Sequence, residues 1–139
     1  MKEIISEFIG TFILVLFGTG AVAVSAIAPE LNVLAIALAF GGAVMLVIDV
    51  FGDISGAHIN PAVTFSMLCI KNISFFKAAI YIISQLCGAM AGSGLVRAIF
   101  PDEIAKPIAY GNTLLPENQP TAWGGTWTMG PGQGFALEV

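Results

Sequence analysis

Three long apolar segments and one short apolar segment follow one another along the chain. The long segments cover about residues 4–28, 31–51 and 75–99. Each is long enough to cross a hydrocarbon core of about 30 Å as a helix. The second segment is the cleanest, because residues 33–48 at its centre contain no charged side chain. The pattern predicts an all-α membrane protein with three transmembrane helices.

The short apolar segment, about residues 60–70, cannot cross the membrane. A helix of this length extends only about 15 Å, half of the hydrocarbon core. A helix that ends inside the bilayer leaves backbone N–H groups there, which is tolerated only where that end is buried in protein or lines an aqueous cavity. We therefore predict a re-entrant half-helix, and with it a pore or a transport site.

The start of the half-helix is well specified. Asn60 is a favoured N-cap residue, and Pro61 suits the first helical position because its missing N–H costs nothing there. Upstream, residues 53–59 contain turn formers and small residues, which predicts an extended connection whose carbonyl groups need partners such as water. An alternative is an ordinary surface helix, but its apolar side chains would then be exposed around most of its circumference.

The polar groups near this helix indicate which solutes would pass. The Asn60 amide offers N–H donors to a solute oxygen, while the positive end of the half-helix dipole opposes cations. Neutral hydrogen-bonding solutes would pass, whereas protons and metal ions would be opposed. His58 is either a pH gate or a hydrogen-bonded structural residue. Glu7 and Gln85 lie at or near membrane depth and are either functional or packed structurally.

Composition excludes several classes of function. Of 139 residues, 57% are hydrophobic and 10% are charged, and the formal net charge of -4 contains no block of like charge, so nucleic-acid binding has no support. A single histidine, with no nucleophile and base beside it, argues against an enzyme, a metal site or a cofactor. Cys69 and Cys87 lie in apolar segments and are interpreted as small buried hydrophobes.

Small residues and cations suggest how the spans are arranged. Gly88 and Gly92 form a GxxxG pattern, which indicates either close helix packing or chance in a glycine-rich chain, and Gly41-Gly42 predicts a second contact surface. Residues 100–134, rich in proline and glycine, are predicted to form an outer loop without helix. The positive-inside rule places the N-terminus in the cytoplasm. Three cations then lie on the inner side and two on the outer side: Lys2, Lys71 and Lys77 against Arg97 and Lys106.

Three motifs resemble those of one known family. Residues 55–64, SGAHINPAVT, resemble the first signature loop of the major intrinsic protein family, the aquaporins and glycerol facilitators. Residues 7–12, EFIGTF, resemble the first-helix motif of that family, and Gln85 followed by Gly88 matches its third motif. The family fold is an inverted repeat in which each half supplies three spanning helices and one half-helix, and the two Asn-Pro-Ala ends meet at the membrane midplane.

The resemblance implies roles for individual residues. Asn60, with Pro61 and Ala62, would present the pore donor. The carbonyl groups of Gly56, Ala57 and His58 would line the cytoplasmic half of the pore. Glu7 would be a buried scaffold carboxylate and Gln85 would brace the loops. Phe40 would form part of the outer selectivity filter. The resemblance also implies a homotetramer in a plasma membrane.

The second repeat of the family is not found in this sequence. There is no second Asn-Pro-Ala, and residues 135–139 look like the opening of a second repeat, with Glu138 echoing Glu7. We therefore expect the N-terminal half of a passive water channel that does not conduct alone. Phe40 favours water by limiting girth, and glycerol or another small neutral solute is the alternative. A coupled secondary transporter and a non-conducting scaffold are the other classes considered.

Overall fold

Helices dominate the structure. The computed structural model describes residues 1–28, 33–106, 119–120 and 126–127. Its elements in these ranges are α1 (Lys2–Ile27), α2 (Val33–Ser55), α3 (Pro61–Cys69), α4 (Phe75–Ile99), α5 (Asp102–Ala105), β1 (Gln119–Pro120) and β2 (Thr126–Trp127). By length and composition, α1, α2 and α4 are able to cross a membrane. The predicted all-α fold with three spanning helices is confirmed.

Helix α1 lies between α2 and α4 and packs against both, while α3 packs against α4. The connection from α2 to α3, residues 56–60, folds back onto the α1–α2 pair. Its side chains Ala57 and Ile59 form a buried apolar cluster with Val47 of α2. Partly buried side chains of α1 and α2 surround this cluster, namely Ile13, Leu14, Val44 and Phe51. The connection is therefore anchored inside the protein by its apolar residues.

The contact between α1 and α4 depends on two glycines. A Cβ atom added at Gly88 would overlap the carbonyl oxygen of Phe8, and one added at Gly92 would lie 2.8 Å from the carbonyl oxygen of Phe12. Because backbone atoms form the opposing surface, no side-chain movement can relieve these contacts. The close-packing interpretation of the GxxxG pattern is confirmed.

One expectation about small residues is not met within the described part of the chain, and another is wrong. A Cβ added at Gly41 or Gly42 would meet nothing within 4 Å, so these glycines make no helix contact in the described part of the chain. Cys69 and Cys87 are exposed rather than buried. The reason is that an apolar residue of a spanning helix faces either protein or lipid, and hydropathy alone does not distinguish the two. Large apolar side chains on the outer surface are equally exposed, for example Leu38, Met45, Phe65 and Met90.

Helix α2 is longer than predicted. It continues to Ser55, whereas the sequence pattern ended the span near residue 51 and placed residues 53–55 in an extended connection. Turn formers such as Asp53 do not end this helix. It ends where Gly56 takes a φ of +87° while its N–H still bonds to the carbonyl of Gly52 at 2.9 Å. Glycine reaches this left-handed conformation without a Cβ clash, so Gly56 is the true stop signal.

Helix α3 is capped at both ends. The Asn60 side chain accepts a hydrogen bond from Ala62 N, and Pro61 occupies the first turn, as the sequence pattern indicates. At the other end, Asn72 N donates to the carbonyl of Met67 at 2.9 Å, and Lys71 has a φ of +61°. This is the arrangement in which a helix commonly ends on glycine, but here a lysine carries the left-handed strain.

Replacing Lys71 by glycine should therefore stabilise the protein. Lys71→Gly removes a Cβ that is unfavourable in the left-handed region, and we expect a gain of about 1 kcal/mol in the free energy of unfolding. Lys71→Ala is the matched control because it removes the same charge but keeps the Cβ. Thermal unfolding of the three proteins in detergent checks this. Equal unfolding midpoints for the glycine and alanine variants would contradict it.

The region predicted as an outer loop contains a short helix. Helix α5 occupies a single turn directly after Pro101, although proline was expected to exclude helix from residues 100–134. Proline is well tolerated at a helix start, and Asp102 and Glu103 in the first turn complement the helix dipole. The two strands pair in antiparallel fashion. The predicted second-repeat opening at residues 135–139, including Glu138, lies outside the described residues.

Candidate functional site

The connection between α2 and α3 has an unusual backbone. Gly56, Ala57 and Ile59 have φ angles of +87°, +45° and +43°. Left-handed backbone is rare for residues other than glycine, and for a β-branched residue such as Ile59 it is a genuine outlier. Each such residue costs about 1–3 kcal/mol and persists only where surrounding contacts hold it. Strained backbone of this kind is concentrated at functional sites, so the contacts that hold it identify the site.

Glu7 of α1 supplies those contacts. Its carboxylate is fully buried and accepts four hydrogen bonds, two at each oxygen. Oε1 accepts from Ser55 Oγ at 2.7 Å and from His58 N at 3.0 Å. Oε2 accepts from Ile59 N at 2.7 Å and from Gln85 Nε2 at 2.7 Å. Hydrogen bonds to a charged acceptor are the stronger ones, and here two of them fix consecutive backbone amides.

As a result, the N–H groups and the carbonyl groups of the connection differ in their hydrogen bonding. The N–H groups of Ala57, His58 and Ile59 all bond inward, to Ser55 Oγ or to Glu7. In the part of the chain that the structure describes, no hydrogen bond ends on the carbonyl oxygen of Gly56, Ala57 or His58. Backbone carbonyls of a protein rarely lack a partner, so these three acceptors are available to an outside donor.

A second layer of side chains supports Glu7. Gln85 Nε2 also donates to Thr64 Oγ1 at 2.8 Å, and Thr64 Oγ1 lies 3.1 Å from His58 Nδ1. Glu7, Gln85 and Thr64 are each fully buried, and His58 is buried with 7% exposure. The structure therefore brings the candidate residues Glu7, His58 and Gln85 into one hydrogen-bonded cluster, as expected of packed structural groups. Among the described residues, Gln85 Oε1 is the only buried side-chain polar atom without a partner.

Asn60 lies on the open side of the same connection. Asn60 is exposed, and its side-chain Oδ1 accepts a hydrogen bond from Ala62 N at 2.8 Å. Since the cap uses the oxygen, the Nδ2 group is the part of the side chain that remains to meet a solute. Pro61 and Ala62 form the first turn of α3 beside it. The amide donor of Asn60 and the free carbonyls of residues 56–58 thus belong to one short stretch of chain.

The structure does not bring Phe40 to this stretch. Phe40 is in the first half of α2, about 22 Å along the helix from Ser55 at about 1.5 Å per residue. Its ring packs against Gly18 of α1, where an added Cβ would overlap the ring. Phe40 therefore lies away from the connection at residues 56–60, nearer the N-terminal end of α2.

Three residues of the site were given no role in the sequence analysis, although Ser55 and Thr64 lie within the signature motif at residues 55–64. Ser55 bridges Glu7 and Ala57 N, Thr64 joins Gln85 to His58, and Tyr81 OH donates to the carbonyl of Ser55 at 3.0 Å. Helical spacing offered a signal for two of them. Thr64 is one turn after the cap residue Asn60, and Tyr81 is one turn before Gln85, so each shares a helix face with a residue that was singled out.

A comparison with known protein families identifies the chain. The family model described as Major intrinsic protein matches residues 1–128, which includes the whole cluster and all three spanning helices. The chain belongs to the major intrinsic protein family. The matched range contains the polar residues of the site described above, namely Glu7, His58, Asn60 and Gln85.

Individual relatives agree with the family assignment. The chain is 44% identical to lens fiber major intrinsic protein of Lithobates pipiens over 115 residues, which cover 83% of this chain and 43% of the relative. It is 41% identical to aquaporin-2 of Rattus norvegicus over 108 residues, 78% of this chain and 40% of the relative. It is 43% identical to aquaporin-2 of Dasypus novemcinctus over 103 residues, 74% of this chain and 94% of that sequence. The chain spans less than half the length of the first two relatives.

Proposed function

We propose that this chain supplies one half of a passive channel for water, and that the other half of the pore comes from a second repeat in the full-length protein. The observation that carries the proposal is the polarised connection. Glu7 draws the amides of His58 and Ile59 inward, which leaves the carbonyls of residues 56–58 as consecutive acceptors for passing water. A row of acceptors with fixed spacing replaces the hydrogen bonds that a molecule loses when it leaves bulk water.

The half-helix supports the selectivity of the proposed channel. Helix α3 begins at Pro61, and Ala62 N already bonds to Asn60 Oδ1, so the Nδ2 group of Asn60 forms a donor end close to the acceptors. A donor end with positive dipole character opposes cations and accepts the oxygen of a neutral solute. Water, which both donates and accepts, suits an acceptor row that leads to a donor. Phe40 is the proposed size limit in the outer part of the pore and favours water over glycerol.

The environment of Glu7 supports passive conduction over coupled transport. A coupled transporter needs an ion-binding group near the membrane centre. Both oxygens of Glu7 are already occupied by four protein donors, and the carboxyl group is closed to solvent. The contacts support a scaffold role for Glu7, with no covalent chemistry and no cofactor in the proposed mechanism.

Osmotic swelling of vesicles tests the proposed function. The full-length protein is reconstituted, and water and glycerol permeability are each compared with those of empty vesicles. We expect water permeability far above the empty-vesicle level and a small glycerol signal. High glycerol permeability would identify a glycerol facilitator instead, and leak-level rates for both solutes would overturn the channel proposal.

Asn60→Asp isolates the donor role of Asn60. Aspartate keeps the cap oxygen for Ala62 N but replaces the Nδ2 donor with a second acceptor, so α3 should remain folded. We expect water permeability per channel to fall about tenfold, the factor that corresponds to one lost hydrogen bond of about 1.4 kcal/mol in the conduction barrier. Swelling assays normalised to the amount of folded protein measure this change.

Asn72→Asp is the matched control for that variant. Asn72 is exposed at the other end of α3, and among the described groups its side chain forms a hydrogen bond only to the Met67 sulfur, at 3.7 Å. The charge change is the same, but it lies away from the proposed pore. The donor role of Asn60 is refuted when both variants conduct water at the wild-type rate.

We further propose a cytoplasmic N-terminus and assembly of the full-length protein as a homotetramer in the plasma membrane. Lys77 Nζ lies 3.0 Å from Glu3 Oε1, which supports a common membrane side for Lys2 and Lys77 at the N-terminal ends of α1 and α4. The uncontacted glycines Gly41 and Gly42 on an apolar helix support a close contact with another subunit. Cross-linking of the full-length protein in membranes tests the assembly.

A further inference from the structure

Tyr81 of α4 contacts the connection at the end opposite to the half-helix. Its side chain is 1% exposed, and its hydroxyl donates to the carbonyl oxygen of Ser55 at 3.0 Å. Ser55 is the last residue of α2, and its carbonyl has no partner within the helix because the chain leaves the helical path at Gly56. The Tyr81 hydroxyl therefore fixes the point at which the carbonyl row begins.

The ring of Tyr81 contacts the other end of the row. The His58 and Tyr81 rings meet edge to face, with centroids 5.4 Å apart and an interplanar angle of 71°. Lys77 Nζ, which pairs with Glu3, also lies 5.3 Å from the centre of the Tyr81 ring. The ring thus contacts both the His58 imidazole and the Lys77 ammonium group.

These two contacts complement those of Glu7. The carboxylate holds the amide side of residues 58 and 59, but Gly56 and Ala57 bond through their N–H groups only to Gly52 and to Ser55 Oγ. The direction of the first two carbonyls in the row therefore depends on the orientation of the Ser55 peptide. The backbone carbonyl of Ser55 accepts a hydrogen bond from Tyr81, which belongs to neither α2 nor the connection.

We propose that Tyr81 is a positioning residue for the pore. Its hydroxyl sets the Ser55 carbonyl and its ring sets His58, and together they aim the carbonyls of Gly56 and Ala57 at the passing solute. The proposal rests on the proposed channel function. It goes beyond a fold-stabilising role, because Tyr81 would set the direction of the Gly56 and Ala57 carbonyls without a hydrogen bond to either of them.

Tyr81→Phe in the full-length protein tests the hydroxyl alone. We expect water permeability per folded channel to fall about three- to tenfold, the range of factors that one ordinary hydrogen bond corresponds to. The ratio of glycerol to water permeability should rise, because acceptors with a fixed spacing match the hydrogen bonds of water, and loosened carbonyls lose that match. Ser25→Ala, which removes a hydroxyl that donates to the carbonyl of Val22 at 2.7 Å near the C-terminal end of α1, is the control and should leave both quantities unchanged.

Hydrogen exchange supplies a measurement that does not depend on conduction. In the full-length protein with Tyr81→Phe, the amides of residues 56–59 should exchange about tenfold faster than in the wild type, as expected for a loss of about 1.4 kcal/mol in local opening. The amides in the middle of α1 should exchange at the wild-type rate. Tyr81→Leu, which also removes the ring, should enlarge the effect at His58.

The outcomes separate a positioning role from other readings. An unchanged permeability ratio, with water permeability reduced only in proportion to the amount of folded protein, would show that Tyr81 is merely structural and overturn the proposal. Wild-type exchange at residues 56–59 in Tyr81→Phe would overturn it as well. Leak-level permeability of the wild type would refute the channel function, and the exchange rates would then still decide whether Tyr81 holds the connection.

Discussion

Glu7→Gln is expected to abolish the water permeation proposed for the full-length protein and to lower its free energy of unfolding by about 2–4 kcal/mol. Each oxygen of Glu7 accepts two hydrogen bonds, one of them from a backbone amide of residue 58 or 59. Whichever way the new amide turns, its NH2 group faces one of these N–H donors. An orphaned buried donor costs about 1–3 kcal/mol, and the strained backbone loses the acceptor that holds it.

The control for this variant is Glu3→Gln. Glu3 is one turn earlier in the same helix, and its ion pair with Lys77 is a surface pair, with side chains 44% and 37% exposed. Such pairs contribute about 0–1 kcal/mol, so this variant should unfold and conduct nearly as the wild type does. Thermal unfolding in detergent and vesicle swelling compare the two. A Glu7→Gln protein no more affected than Glu3→Gln would contradict the scaffold role of Glu7.

The second large effect is expected from Gly88→Ala, which should destabilise the full-length protein by about 2–3 kcal/mol. The added methyl group would overlap the carbonyl oxygen of Phe8, and the opposing atoms belong to the backbone of α1. The helices must therefore separate locally. Because Glu7 precedes Phe8 and Gln85 is one turn before Gly88, the same movement pulls the carboxylate away from the Gln85 amide. Water permeability per folded channel should fall along with stability.

Gly94→Ala provides the matched control on the same helix. A Cβ at Gly94 would meet nothing within 4 Å, so only helix propensity changes, with an expected gain of up to about 1 kcal/mol. Unfolding in mixed detergent micelles measures both variants. The predicted order of stability is Gly94→Ala, wild type, Gly88→Ala. A reversed order would show that the α1–α4 contact adjusts to a methyl group, against the close-packing interpretation.

Much of the fold could be predicted because its signals are local. The spans follow from apolar length, since backbone groups in lipid must be satisfied within a helix. The half-helix follows from a cap residue and a proline at adjacent positions, because a cap acts through hydrogen bonds between residues only two or three positions apart. The same local view failed at the end of α2. Asp53 resembles a turn former, yet the helix continues to Ser55 because Gly56, and not the polar residues, provides the left-handed stop.

The composition of the site was partly predictable, and its arrangement was not. Glu7, His58, Asn60 and Gln85 stand out as polar residues in apolar surroundings. Nothing in their spacing indicates that Glu7 bonds to amides about fifty positions later in the chain, at His58 and Ile59. Tyr81 attracts no attention as a sequence feature, because a tyrosine in a spanning helix is ordinary. Its role depends on the carbonyl of Ser55, which only the folded chain brings to it.

The order of apolar and polar residues is thus sufficient to determine that this chain enters lipid, crosses it three times and starts a short helix at Pro61, after the cap residue Asn60. Each of these outcomes depends on the local balance between solvation and backbone hydrogen bonding. Which faces of the helices meet, and which way the carbonyls of residues 56–58 point, depend on contacts between distant segments. The approach of α1 and α4 at Gly88 and the bonds from Glu7 to the connection exist only after packing. Burial then makes an unsatisfied donor costly, and that cost selects one backbone path for the connection.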